Sequence, residues 1–237
     1  MRDKKTLSII AAGVVLSLLM SVRAAGSETE LLASLTALKS HVKGAAPLTD
    51  KQIDAHKQTI DKYSEAFGSS DAIIKAAFDL VATYDDAIGP LWVKHGGFNR
   101  RGKPPANDIH FVVYTVMQNI MDRVYTAENI ARYRKILNGV KFGSSAHFPG
   151  AVEPPADPNA AHTVKIDGSY LKEFKHALMH QERPARRPTG AYLAPGTIAT
   201  VRVPASIVGK GYQARVGAHC WDNTRKPRML RLDRSSL

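Results

Sequence analysis

The run R187-PTGAYLAPGTIATVRVPASIVGKGYQARVGAHCW-D222 decides how this chain is read. Thr189-Gly190 opens it, and Pro195-Gly196 is a turn signal. Thr197 to Val203 then alternates, with Ala199, Val201 and Val203 on one face and Thr200 and Arg202 on the other. Pro204 stops that run and Gly209-Lys-Gly211 makes the next turn. Tyr212, Ala214, Val216 and Ala218 share a face, with Gln213 and Arg215 opposite. A hairpin of this kind cannot bury its apolar face alone, so the pattern predicts partners in an antiparallel sheet. The short run Val164 to Ile166 is a further strand candidate.

Upstream of this run the period changes from two to that of a helix. Glu30 to His41 is a short helix candidate. Thr49 and Gln52 form a capping box for a helix running to Phe67, and Gly68-Ser-Ser70 breaks it. Asp71 to Ile88 follows, with Ile74, Phe78, Val81 and Ile88 near helical spacing. Gly89-Pro90 and the stretch Gly96 to Pro105 form a long loop. Asn107 or Asp108 caps a helix to about Tyr125. Thr126 caps another that ends at Asn138-Gly139, with Arg132, Arg134 and Lys135 near its C-terminus, where cations suit the helix dipole. The predicted fold class is therefore α+β: an all-α helical bundle over 25–142, then a β-sandwich-like antiparallel module over 162–237. The proline-rich segment 143–161 joins them.

The chain starts as an export signal does. Arg2, Lys4 and Lys5 precede the apolar stretch Leu7 to Met20, and Val22-Arg-Ala24 places small residues at a cleavage position. The apolar stretch is short for a span. Residues 1–24 are thus expected to be a signal peptide, the mature protein exported (periplasmic, cell-surface or secreted), with no stable membrane span. The single cysteine, Cys220, cannot form an internal disulfide, and its neighbour His219 points to the opposite face of a strand.

The formal net charge is +12, and residues 183–237 hold 11 Lys or Arg against only Asp222 and Asp233. Such a segment attracts polyanions by counterion release. A solvated basic face is the alternative. Nucleic acid is not expected, because the chain reads as exported and carries no nucleic-acid-binding motif.

Several pieces of the sequence resemble the region upstream of the catalytic domain in M60-like (enhancin-like) zinc metallopeptidases. They are Pro188-Thr-Gly190, Tyr192-Leu-Ala-Pro-Gly196, Val201-Arg-Val-Pro204, Val216-Gly-Ala-His219 and Pro227-Arg228, with His147-Phe-Pro-Gly150-Ala-Val152 and His162-Thr-Val-Lys-Ile-Asp167 before them. The resemblance covers roughly the last 90 residues, by their order and spacing. It implies a β-sandwich module ahead of a zinc domain that cuts glycosylated proteins such as mucins. Such a domain needs a helical His-Glu-x-x-His, two imidazoles holding zinc and a glutamate polarising its water. The chain has no such motif. Its nearest approach, His176 and His180, has the spacing for a shared metal, but Ala177 stands where the glutamate belongs and no third ligand is evident.

The resemblance thus implies the non-catalytic N-terminal portion of such an enzyme, with no catalytic residue and no cofactor in this chain, and zinc only in the family's catalytic domain. Its sheet would position a glycoprotein substrate. The alternative is a stand-alone exported binding or scaffold protein that recognises acidic glycans or another polyanion. For either, Trp221, with His219, Asp222 and Arg215 near it, supplies a ring and polar groups suited to a sugar; Trp221 as a plain sheet-edge cap is the competing assignment. Asp85-Asp86 reads as a solvated helix end, and Trp92 and Phe98 beside Gly96-Gly97 as loop packing.

Overall fold

The computed structural model describes residues 26–93, 98–99, 108–147, 150–157, 159–169, 187–217 and 228–229. The first helix, α1, covers residues 26–42. Its buried side chains Leu31, Leu35 and Leu38 recur at helical spacing and form one stripe. Helix α2 is Asp50–Lys62, opened by the capping box that Thr49 and Gln52 announce. Thr49 N–H donates to Gln52 Oε1 at 2.9 Å, which satisfies one of the backbone groups that a helix start leaves open. Ile53 and Ile60 face inward, seven residues apart. A 3-10 turn, Ser64–Gly68, carries the chain to Ser70, which caps α3, Asp71–Ala87.

Helix α3 is the most deeply packed element, burying Ile73, Ile74, Ala77, Phe78, Leu80, Val81 and Tyr84. Asp108 caps α4, Ile109–Asn119, with its carboxylate accepting from His110 N–H at 2.9 Å. The helix widens into a π-helical turn, Ile120–Val124, instead of stopping. Thr126 caps α5, Ala127–Arg132, and α6, Arg134–Leu137, follows after a break at Tyr133. The sequence joins these last two in one helix; Tyr133 interrupts it, and its hydroxyl donates to Gly68 O at 3.1 Å.

The predicted β-sandwich is not seen, and this corrects the α+β assignment: the described chain is helical. Strand pairing among the described residues is confined to β1, Phe98–Asn99, antiparallel to β2, Arg228–Met229. The turns of the predicted hairpin do form. Gly196, Gly209 and Gly211 all have positive φ. Residues 198–203 and 212–216 run without helix, turn or bend but have no ladder, and a 3-10 turn, Ala205–Ile207, stands between them. No backbone hydrogen bond links 198–203 or 212–217 to another described residue. Val201 is 65% and Val203 52% exposed, and Val164 and Ile166 are also exposed. The physical reason is that turn chemistry is local, whereas a two-stranded hairpin is marginal unless further strands or a helix cover its apolar face, and Val201, Val203, Tyr212 and Val216 stay exposed. The core draws its apolar mass from the helices and the turns that join them, Leu91 after α3 and Tyr133 between α5 and α6 included. Beyond Leu137, Ala194 is the one buried hydrophobic residue among those described.

Candidate functional site

Residues 187–217 form an arm that meets the helical body at one well-made turn, residues 194–197. Pro at the second position and Gly196, with φ 80°, at the third are what a type II turn requires. Thr197 N–H closes the turn on Ala194 O at 3.1 Å, and its hydroxyl donates to the same oxygen at 2.6 Å. Gly139 N–H, just past α6, donates to Gly196 O at 2.8 Å. A Cβ on residue 196 would come within 3.3 Å of the Gly139 backbone, so the close approach also favours glycine.

Side-chain-to-backbone bonds hold the rest of the arm beside residues 150–169. Tyr192 O–H donates to Gly150 O. Arg187 donates to Asp167 O at 3.1 Å and Ser169 O at 3.0 Å. Tyr212 O–H reaches Gly168 O at 3.4 Å, near the limit for such a bond. The Asp167 carboxyl is held below its ordinary range, first by Ser169, whose hydroxyl and N–H both donate to it, and then by the charge of Arg187.

The arm's electrostatics are one-sided. Between 187 and 217 there are four cations, Arg187, Arg202, Lys210 and Arg215, and no acidic residue. All four are exposed. The ion pairs Lys39–Asp79, Lys57–Asp61, Lys62–Glu30 and Arg123–Glu65 belong to the helical body instead. Arg202, Lys210 and Arg215 have no carboxylate partner among the described residues. Of the residues singled out for binding, Arg215 is thus placed, exposed and on an extended stretch. Trp221, His219 and Asp222 lie outside the described residues, as do Cys220, His176, His180 and the signal segment 1–24. Among the described residues, no group of three His, Cys, Asp or Glu side chains is arranged to hold a metal ion. No helix among them is long and apolar enough to cross a membrane.

A second polar cluster, which periodicity does not reveal, lies where α3 ends and α4 begins. Tyr84 Oη and His110 Nδ1 are 2.6 Å apart, with the two rings edge to face. Tyr84 is fully buried. Burial foremost, then the charges of Asp108 and Asp85, pushes its hydroxyl well above the usual tyrosine range. Asp85 is half-buried, not the solvated helix end expected, and accepts Gly143 N–H at 2.8 Å. Trp92 packs its ring edge-on to Tyr114, centroids 6.0 Å apart, in keeping with its assignment as loop packing. With φ 65°, Trp92 is the one non-glycine residue of positive φ among those described. The Phe98 side chain and Gly96-Gly97 lie outside the described residues. A buried tyrosine paired with a histidine pins α3 to the start of α4. The signal that could have found it is Tyr84, in register with Ala77 and Val81 on the buried face of α3.

Compared with protein-family models, curated proteins and solved structures, the chain matches none.

Proposed function

We propose that this chain is a non-catalytic, exported binding protein in which a helical body carries a basic arm that engages polyanions, acidic glycans among them. The observation that supports this reading is the acid-free arm 187–217, with Arg202, Lys210 and Arg215 exposed and unneutralised among the described residues. Such cations bind by releasing condensed counterions, so affinity falls steeply as salt rises. The test is retention on immobilised heparin. Arg202→Ala/Lys210→Ala/Arg215→Ala is expected to elute at clearly lower salt than the parent, with helical circular dichroism unchanged. Equal elution of the two proteins would refute the reading.

A second proposal keeps the resemblance to M60-like metallopeptidases and makes the chain the front portion of such an enzyme, without its zinc domain. It draws support from the resembling piece Tyr192–Gly196, which is the part of the arm packed on the helical body through Ala194 and Gly196. Reading the transcript beyond the Leu237 codon tests it. A His-Glu-x-x-His helix downstream is the expected result, and its absence removes the peptidase label.

A further inference from the structure

Basic charge is half of what the arm shows. Ten of the eleven exposed large hydrophobic residues recorded among the described residues lie between 152 and 216. The stretches that carry them are held side by side, through Tyr192 on Gly150 and Tyr212 on Gly168. An acidic glycan satisfies Arg202, Lys210 and Arg215 but leaves Val201, Val203 and Val216 in water. A ligand that covers the arm must bring apolar groups together with its negative charge.

The pattern along the chain says how. Arg202 sits between Val201 and Val203, and Arg215 between Ala214 and Val216. In extended backbone, successive side chains alternate between faces. Over 198–203 and 212–216 each stretch therefore sets an apolar row against a cation, and the N–H and C=O groups of these residues are not engaged by described backbone. An extended peptide laid alongside meets those groups with its main chain and selects by its alternate side chains. The complementary sequence alternates acidic with apolar residues. A second copy of this chain carries the same positive charge in its arm and does not supply that complement.

We infer that the arm binds an extended acidic polypeptide segment in which acidic and apolar residues alternate, through residues 198–203 and 212–216. This deepens the polyanion reading and rests on it. The purified full chain is titrated with a dye-labelled alternating Glu-Val peptide, poly-glutamate of equal charge, and heparin. The Glu-Val peptide is expected to bind about tenfold tighter than poly-glutamate, a difference of about 1.4 kcal/mol. Val201→Ser/Val203→Ser/Val216→Ser, all exposed positions, is expected to erase that margin while poly-glutamate and heparin still bind. Arg202→Ala/Arg215→Ala is expected to weaken all three. Equal affinity for the Glu-Val peptide and poly-glutamate overturns the inference and leaves the polyanion reading standing. Binding of none of the three overturns both. Self-association in sedimentation, abolished by the valine substitutions, assigns the face to a second copy and also overturns the inference.

Discussion

Two residues show how tightly the helical body is made. Gly68 lies where the 3-10 turn meets the π-helical turn, and an added Cβ there would fall inside contact distance of Arg123 O and Asn129 Nδ2. Relieving the clash would disturb the bond that Asn129 Nδ2 donates to Arg123 O at 2.6 Å. Gly68→Ala is expected to destabilise the fold by about 1–3 kcal/mol, the usual cost of overpacking, read as a lower urea midpoint; an unchanged midpoint contradicts the geometry. Asp85 is the second case. Its carboxyl is raised by burial first and by the Asp86 charge, against the lowering bond from Gly143. A raised folded value means that the folded protein holds this proton more tightly. The stabilising contribution is therefore present at low pH and is lost as pH climbs from about 4 through the raised value. Asp85→Asn keeps an oxygen for Gly143 N–H without the half-buried charge. Its melting temperature is expected to equal or exceed the parent's at pH 7, with the margin shrinking toward pH 4. Asp85→Ala loses the acceptor and is expected to cost about 1 kcal/mol.

The helices and the arm are held by different kinds of interaction. Helices α1 to α4 each bury an apolar stripe in a shared core, and Thr49, Ser70, Asp108 and Thr126 close helix starts. The arm has one buried side chain, Ala194, one backbone bond to the body through Gly139, and a few bonds from tyrosine and arginine. Segments with few buried contacts open most easily, and exposed loops are where proteases cut first. Limited trypsin digestion is expected to cleave at Arg202, Lys210 or Arg215 before any site in α1 to α4. The helical signal of the remaining fragment is expected to persist. Early cuts in α2 or α3 would show that the arm stabilises the body. Saturating polyanion is expected to slow cleavage in the arm alone.

At the scale of the molecule, apolar burial and positive charge are segregated. The core draws on residues from Leu31 to Leu137, and the acid-free stretch lies outside it. The body's charges are partly spent on pairs of its own, such as Lys39 with Asp79, while Arg202, Lys210 and Arg215 of the arm have no carboxylate partner among the described residues. Binding to heparin is therefore expected to show a steep dependence on salt, and the slope is expected to fall in Arg202→Ala/Lys210→Ala/Arg215→Ala. A slope that survives in full would move the binding site to other cations. Export is checked separately, by mass spectrometry of the mature N-terminus, with cleavage expected after Ala24.

Helix starts were legible in the sequence because a cap is made within four residues. Thr49 with Gln52 and Thr126 could be placed without knowing the fold, and Asp108 was one of two candidates with Asn107; Ser70 read only as part of a break, and its role as the cap of α3 came from the structure. The turn at Pro195-Gly196 was legible for the same reason, since its geometry follows from a fixed φ at proline and a free one at glycine. The charge asymmetry is a count and needs no coordinates. Strand pairing was not legible. Alternation in 197–203 and 212–217 states what each face would be if the hairpin closed, and closing it needs further structure to cover its apolar face, which is a matter of distant contacts. Tertiary structure alone decided that these runs lie extended and unladdered, that Gly196 docks on Gly139, and that Asp85 reaches Gly143 across 58 residues. It also decided the joining of Tyr84 to His110. Each of these depends on where two remote pieces of chain come to rest, and that is settled by how the helices pack.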